Sequence, residues 1–279
     1  MSRIFLIILL IVICGTYTHS AAPTIQAIEV DNAPTLDGNL DDPCWQEIPE
    51  LTGFIDISTK KLCPLQTIFK LCYDKENVYI AIHASQPDIS KIKADETKRN
   101  SEGIFKDDYV EIAIDSLHNH QDASRFSVNA IGTQFEKLEG GSANKIEWRG
   151  DWHAAGKVTS DGYNIEMASP FSILKYDKGR DSFGIAVSRY LAAENIDAQW
   201  PDMQGVWDEK LYADWNGIKT PRIRPKPAIM SYLLGSNVDD RRLYRGIDIK
   251  YPFTTDKIAL ISVTPDFSTV EQQVQSACF

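Results

Sequence analysis

The side chains best suited to binding chemistry in this chain are aromatic, and most of them fall in one region. Tryptophan occurs six times, at Trp45, Trp148, Trp152, Trp200, Trp207 and Trp215. Flat apolar rings beside a few polar groups orient a small molecule that has both apolar faces and hydroxyls. A tryptophan is also a common core residue whose indole N–H finds a partner, and we expect this for Trp45. Trp200 and Trp207 instead flank residues 201–206, which have little apolar periodicity.

Catalytic signatures are absent from the sequence, although one group of acidic residues needs an explanation. No serine nucleophile elbow, zinc-binding His-Glu-x-x-His motif or phosphate-binding glycine loop occurs. Asp107, Asp108 and Glu111 lie close together, and glycosidases use two carboxyl groups roughly 5–10 Å apart across a cleft. We expect Asp107 and Asp108 at the entrance of a strand and Glu111 pointing outward. We therefore assign no catalytic residue and expect no catalytic activity in this chain.

Two histidines, His118 and His120, form a His-x-His pair in a polar loop. The pair offers two metal ligands, but without an obvious third one a solvated loop is favoured over a metal site. The residues themselves leave the metal content of the chain open.

The composition excludes one large class of partner. The chain has 279 residues with a formal net charge of −10, and its hydrophobic (43%) and charged (24%) fractions are those of a globular protein. Binding to nucleic-acid phosphates requires a basic face. We therefore expect no nucleic-acid partner.

Residues 1–20 have the features of a cleaved secretory signal. Arg3 precedes the apolar run Ile4–Cys14, which is shorter than the about 20 residues needed to span a bilayer. Thr18 and Ser20 then occupy the −3 and −1 positions of a cleavage site before Ala21. This pattern predicts export to the periplasm, the outer membrane or the extracellular space. In such a compartment Cys63 and Cys72 are either a hairpin-type disulfide or buried thiols, and the sequence leaves both open.

Residues 21–220 read as many short strands. Apolar and polar residues alternate with a period of two over 66–73, 78–83, 109–115, 125–131, 163–168 and 183–190. Helix is predicted at 42–48, which opens with an aspartate and a proline, and a turn at 170–174. The pattern predicts an all-β domain, an antiparallel β-sandwich of the jelly-roll type.

The remaining residues divide into a spacer and a second β segment. Three prolines in residues 221–227 favour an extended linker. Residues 228–279 then show three further strand patterns, which are too few to cover both faces of a sheet. We therefore predict an incomplete antiparallel β domain there.

Several motifs resemble family 9 carbohydrate-binding modules. Residues 35–45 (TLDGNLDDPCW) resemble the opening of that family, and residues 108–115 (DYVEIAID) are similar to its acidic strand. Residues 126–129, 162–166 and 215–217 follow in the expected order. The resemblance covers about residues 24–218. It implies a β-sandwich from exported glycan-degrading systems, xylan- or glucan-type oligosaccharide or polysaccharide as the partner, and structural calcium ions.

The same resemblance implies which side chains hold the sugar. The family places a terminal sugar between two aromatic rings, and Phe105 and Trp207 correspond to them by position. Glu111 matches a carboxylate that hydrogen-bonds sugar hydroxyls, and Asn129 is a further polar candidate. Phe105 stands where tryptophan is usual, and Ser127 replaces an arginine whose planar fork of donors would grip two hydroxyls.

Residues 244–251 and 262–271 resemble the start of the β-rich, barrel-like part of large exported bacterial proteins that carry a family 9-like module ahead of it. A barrel needs at least eight strands, so the resemblance implies that this chain is a fragment. Two hypotheses rival glycan binding. One is a periplasmic docking or plug domain of an outer-membrane protein, with the Phe105/Trp207 surface filled by its own side chains. The other is part of a glycoside hydrolase.

Overall fold

Strands make up nearly all of the regular structure. The computed structural model describes residues 22–138, 150–222, 227–235, 243–252 and 258–263. The expected signal segment, Trp148 and Cys278 lie outside the described residues. The strands up to residue 216 are β1 (Thr24–Gln26), β2 (Ile55–Asp56), β3 (Lys61–Leu62), β4 (Thr67–Tyr73), β5 (Asn77–Ser85), β6 (Tyr109–Asp115), β7 (Ser124–Asn129), β8 (Gln134–Lys137), β9 (His153–Val158), β10 (Gly162–Pro170), β11 (Ser182–Leu191), β12 (Ile196–Trp200) and β13 (Ala213–Asn216).

These strands form two sheets. The first sheet has nine strands in the order β3-β2-β12-β11-β6-β7-β8, with β13 pairing β11 and a parallel β1. The second sheet has four strands in the order β4-β5-β10-β9. All pairings except that of β1 with β13 are antiparallel within these two sheets. The all-β antiparallel sandwich predicted from the strand pattern is therefore confirmed.

The core between the sheets follows from the alternation of apolar residues. On β6, Val110, Ile112 and Ile114 are fully buried and share one cluster with Val78, Ile80 and Ile82 of β5. Because each fully buried aliphatic side chain stabilises the fold by about 1.5–3 kcal/mol, this one face of each strand fixes the register of the sandwich. The opposite face of β6 bears Tyr109 and Glu111, which are only partly buried.

A second cluster covers the outer face of the second sheet. The short helix α1 (Pro43–Gln46) begins at its proline and carries Trp45, which is fully buried as expected. Trp45 packs with Ile48, Cys72 and Tyr79. The N-terminal segment thereby closes a face that would otherwise expose apolar side chains.

The cysteines in the described residues are free. Cys44, Cys63 and Cys72 are thiols, so no Cys63–Cys72 bridge is present. Burial raises the pKa of the Cys72 thiol far above its ordinary value, which suppresses the reactive thiolate.

Among the residues beyond 227, those that the structure describes form a three-stranded antiparallel sheet. Its strands are β14 (Ala228–Gly235), β15 (Leu243–Pro252) and β16 (Ile258–Val263), in that order. The pairing Ile229–Ile249–Ile261 aligns three isoleucines on one face. In the described part of the chain, helices are too short or too polar to cross a membrane.

Candidate functional site

The outer face of the first sheet, at strands β6, β7 and β11, carries the polar and aromatic side chains that could bind a ligand. Glu111 of β6 lies between Ser188 of β11 and Ser127 of β7 in the pairing register. Because residues two apart on a strand share a face, Tyr109 and Ala113 flank Glu111 along β6. Three rows of side chains therefore cross the strands, with the Glu111 row in the middle.

The Glu111 carboxylate is held by two neighbours on β7. Ser127 Oγ donates a 2.8 Å hydrogen bond to Oε2, and Arg125 Nη1 lies 3.7 Å from Oε1. The side chain keeps 14% of its surface exposed. Burial raises the pKa of Glu111, an effect that outweighs the Ser127 hydrogen bond and the attraction of Arg125. The site thus holds a carboxylate that is fixed in place yet reachable from one side.

Arg125 occupies the row on the Ala113 side and links Glu111 to Trp207. Its Nη2 donates a 2.9 Å hydrogen bond to Glu209 Oε1. Its guanidinium carbon lies 4.8 Å from the centroid of the Trp207 ring, a cation–π geometry that covers one ring face. Trp207 itself packs edge-on against Tyr212 at 5.7 Å, in a segment that covers Ala113 and Ala186.

The opposite end of the face is aromatic and open. Phe105 lies in the 3₁₀ turn before β6 (Glu102–Lys106) and is 38% exposed. Its ring centroid lies 5.5 Å from that of Tyr109 and 4.8 Å from that of Phe135. Tyr109 in turn lies 5.8 Å from Tyr190, its partner across the strands. We refer to Phe105, Tyr109, Phe135 and Tyr190 as the aromatic patch.

Phe105 and Trp207 therefore lie at opposite ends of the same face, with Glu111 between them. The rows of Tyr109 and Ala113 are about 13 Å apart along β6, at about 3.3 Å per residue. The docking hypothesis expected this surface to be filled by the protein's own side chains. Arg125 fills it beside Trp207, whereas the Phe105 end is exposed.

Asn129 has a structural role here, which argues against its assignment as a sugar ligand. The side chain is fully buried. Its Nδ2 donates to Glu96 O at 2.9 Å and to Asp107 Oδ2 at 3.0 Å. Its Oδ1 accepts from the backbone N–H groups of Ile131 and Thr133. With its donors and acceptor engaged inside the chain, Asn129 shapes the turn after β7 rather than the ligand surface.

The other members of the acidic group are structural as well. Asp107 accepts hydrogen bonds from the backbone N–H groups of Asp95 and Glu96, and Asp108 accepts one from that of Lys93. Both side chains are buried, and burial raises the pKa of Asp108. Of the three carboxylates considered for glycosidase chemistry, Glu111 alone lies on the outer face.

The structural calcium that the resemblance implies stays a prediction. Among the residues that the structure describes, no three His, Cys, Asp or Glu side chains are grouped to hold a metal ion. Asp115 is fully buried and accepts from the backbone N–H groups of Asn119 and His120. His118 Nε2 lies 2.9 Å from Asp214 Oδ1, and His120 Nδ1 lies 3.2 Å from Glu209 O.

A separate depression lies at the turn between β7 and β8. It has a volume of about 330 Å³ and is lined by Thr97, Arg99, Ile131, Gly132, Thr133 and Gln134. Its one charged lining group, Arg99, already donates to Glu136 Oε2 and to Gly150 O. The depression therefore offers a ligand few unengaged polar groups.

Sequence reasoning missed four members of this face: Arg125, Tyr109, Phe135 and Tyr190. The period-two alternation had placed Tyr109 on the same face as Glu111. The resemblance implies an arginine at the position of Ser127. Arg125 stands two residues earlier on the same strand, and residues two apart share a face, so this spacing could have identified Arg125. Phe135 and Tyr190 reach the site only through the pairing of β8 and β11 with their neighbours.

The sandwich as a whole is similar to known proteins. Residues 36–216 match the family model described as carbohydrate family 9 binding domain-like. A comparison with curated proteins found no match. Among solved structures, a family 9 carbohydrate-binding module from Caldicellulosiruptor kristjanssonii in complex with cellotriose aligns with 17% identity and a TM-score of 0.49, covering 72% of this chain and 99% of that one. A module of the same family and organism in complex with glucose aligns with 18% identity and a TM-score of 0.49, covering 71% and 100%.

Proposed function

Residues 36–216 make this chain a member of the carbohydrate family 9 binding domain-like family, and on that premise we propose that it binds carbohydrate non-covalently on the outer face of its first sheet. The proposed ligands are glucan- or xylan-type sugars. The observation that carries the proposal is the position of Glu111, a partly exposed carboxylate with aromatic rings on one side and an arginine on the other.

Each group has a part in holding a sugar. The exposed ring of Phe105 contacts the apolar C–H face of the sugar. Glu111 accepts hydrogen bonds from sugar hydroxyls, and Ser127 and Arg125 keep the carboxylate oriented. Arg125 takes the part of the arginine that Ser127 replaces, and Trp207 supports its guanidinium by a cation–π contact.

A titration tests the proposal directly. Glucose, xylose, cellobiose and xylobiose are titrated into the protein by calorimetry while tryptophan fluorescence is followed, and saturable binding is expected. Phe105→Ala should weaken binding by about fivefold, because about 1 kcal/mol of ring contact is lost. Val158→Ala is a matched control, since Val158 is similarly exposed but lies on the second sheet. If none of these sugars binds the protein at millimolar concentration, the proposal is refuted.

Binding should also depend on pH through Glu111. Its pKa lies above the ordinary value of about 4.3 because the carboxyl is buried. The ionised carboxylate accepts hydroxyl hydrogen bonds more strongly than the protonated carboxyl does, so the affinity should fall as the pH decreases through this raised pKa. Calorimetry from neutral to acidic pH measures the effect. The residual affinity of Glu111→Gln should not follow this curve, and an equal fall in that variant would assign the pH dependence to another group.

The proposal extends to the compartment and the process in which the protein acts. We place the protein in carbohydrate catabolism, exported to the periplasm, the outer membrane or the extracellular space, because residues 1–20 have the composition of a secretory signal. We further propose outer-membrane association through the region after residue 227, on the resemblance of residues 244–251 and 262–271. Fractionation of cells that express the chain, with and without residues 1–20, tests the export.

A further inference from the structure

The aromatic patch extends further across the first sheet than one sugar unit requires. Tyr190 belongs to β11, Tyr109 to β6 and Phe135 to β8. These strands follow the order β11-β6-β7-β8, so Tyr190 and Phe135 are separated by three strand spacings, about 14 Å. A pyranose unit is about as long as one such spacing of ~4.8 Å. A single sugar could therefore contact only part of the patch.

The patch is continuous and reachable along this line. Phe105 contacts both Tyr109 and Phe135, and Tyr109 contacts Tyr190. Phe105 is exposed and the other three rings are partly exposed. The Tyr190 hydroxyl donates a 3.0 Å hydrogen bond to Asn195 Oδ1, which orients its ring. Phe105 packs edge-on against Tyr109 and Phe135, at interplanar angles of 78° and 68°, so the four rings form one continuous aromatic surface that is not flat.

Hydrogen-bonding groups accompany the rings. Ser188 and Glu111 are paired across β11 and β6, and each lies two residues from a tyrosine of the patch on its own strand. Both are partly exposed. In the register, Phe135 continues the row of Ser188, Glu111 and Ser127, so aromatic and polar side chains adjoin along the same strands. Such a surface matches a sugar chain, whose units present C–H faces and hydroxyl edges in succession.

The other end of the face disfavours the enclosure of a single unit between two rings. One face of Trp207 is covered by the Arg125 guanidinium, and Arg125 is itself tied to Glu209 and Glu111. Phe105 packs against Tyr109 and Phe135 rather than against Trp207. A clamp of two facing rings around a terminal sugar is thus not assembled.

From these contacts we infer that the ligand is an oligosaccharide whose consecutive units lie across β11, β6, β7 and β8 on the aromatic patch. This inference rests on the proposed function and adds to it that the chain recognises a run of sugar units rather than one end unit. The free end of the sugar chain then needs no pocket of its own.

A length series tests the inference. Glucose, cellobiose, cellotriose and cellotetraose, and the matching xylose series, are titrated by calorimetry, each also after borohydride reduction of its end unit. The affinity should rise by about tenfold or more from the monosaccharide to the tetrasaccharide. Reduction should leave the affinity for the tetrasaccharide unchanged, because three intact units remain.

Two variants connect the length dependence to the patch. Tyr190→Ala should lower the ratio of tetrasaccharide to monosaccharide affinity by about fivefold. Phe135→Ala, at the other end of the aromatic patch, should lower this ratio by a similar factor. It replaces Tyr190→Ala in the test if circular dichroism shows that Tyr190→Ala does not fold. Val158→Ala, on the second sheet, should keep the wild-type ratio.

The outcomes separate the two levels of the proposal. Equal affinities along the series, or loss of tetrasaccharide binding on reduction, would overturn the inference while leaving carbohydrate binding in place. The absence of binding to every member of both series would overturn the proposed function itself, and the inference with it.

Discussion

Replacing Glu111 with glutamine is expected to lower the affinity for carbohydrate by about tenfold or more. Glu111 is the one carboxyl group among the described side chains of the central row, and hydrogen bonds to an ionised carboxylate contribute about 1.5–3 kcal/mol. Glutamine keeps the size of the side chain but replaces one acceptor oxygen by an NH₂ group that faces Ser127 or Arg125. Calorimetry with a tetrasaccharide measures the loss.

Glu209→Gln is the comparison that isolates the carboxylate. Glu209 pairs with the same guanidinium at 2.9 Å, so both variants remove one negative partner of Arg125. Only Glu111 lies in the central row between Ser188 and Ser127. The Glu209 variant should therefore lose less affinity than the Glu111 variant. If the two lose the same amount, Arg125 rather than Glu111 is the group that contacts the sugar.

The strand pattern was sufficient to predict the sandwich because one physical rule governs it. Alternation with a period of two sorts Val110, Ile112 and Ile114 to one face and Glu111 to the other. The core forms wherever two such faces meet, and the observed strands 67–73, 77–85 and 109–115 match the predicted ones within two residues. Strands β1, β2, β3, β8, β12 and β13 were missed, since two to five residues carry no recognisable period. Strand β9 (His153–Val158) was also missed, because its apolar and polar residues do not alternate.

The site could be predicted only in part, because the alternation along a strand shows which face a residue lies on but not whether a ligand can reach its side chain. Asn129 shares the face of Glu111, yet its side-chain amide donates its hydrogen bonds to Glu96 and Asp107, which lie 33 and 22 residues earlier in the chain. Ala113 also shares that face, yet the segment around Met203 and Tyr212 buries it. Contacts of this kind depend on loop paths. Local sequence carries no signal for them.

The largest effect on stability is expected from Glu166→Ala, on the sheet opposite the binding face. Glu166 is a fully buried carboxylate that accepts from Trp45 Nε1 at 2.9 Å, Gly38 N at 2.9 Å and Asp37 N at 3.0 Å. It thereby ties the N-terminal segment to β10. Gly38 turns with a φ of +79°, and an added Cβ would meet Lys157 Cβ at 2.6 Å, so this segment has little freedom to find other partners.

Alanine at position 166 removes the acceptor of three N–H donors. Those of Trp45 and Gly38 are buried, and each unsatisfied buried donor costs about 1–3 kcal/mol, whereas Asp37 is exposed and its N–H can bond to water. Relief of the buried charge offsets part of this cost, so we expect the free energy of unfolding to fall by about 3–5 kcal/mol. Trp45→Phe keeps most of the ring but removes one donor, and it should cost less than the alanine variant. Urea unfolding of the wild type and both variants measures the differences. A change below about 0.5 kcal/mol for Glu166→Ala would show that the network does not hold the segment.

The pH dependence of the same measurement distinguishes the charge from the hydrogen bonds. Burial raises the pKa of Glu166, more than its three N–H donors lower it. The protonated carboxyl is thus favoured in the folded state. The raised pKa adds its whole contribution to the free energy of unfolding below the unfolded-state pKa of about 4.3, and this contribution is lost as the pH rises through the folded-state pKa. Glu166→Gln has no proton to lose at this position. The stability of the wild type relative to Glu166→Gln should therefore decrease from acidic to neutral pH. An increase over that range would mean that the N–H donors lower the pKa of Glu166 by more than burial raises it.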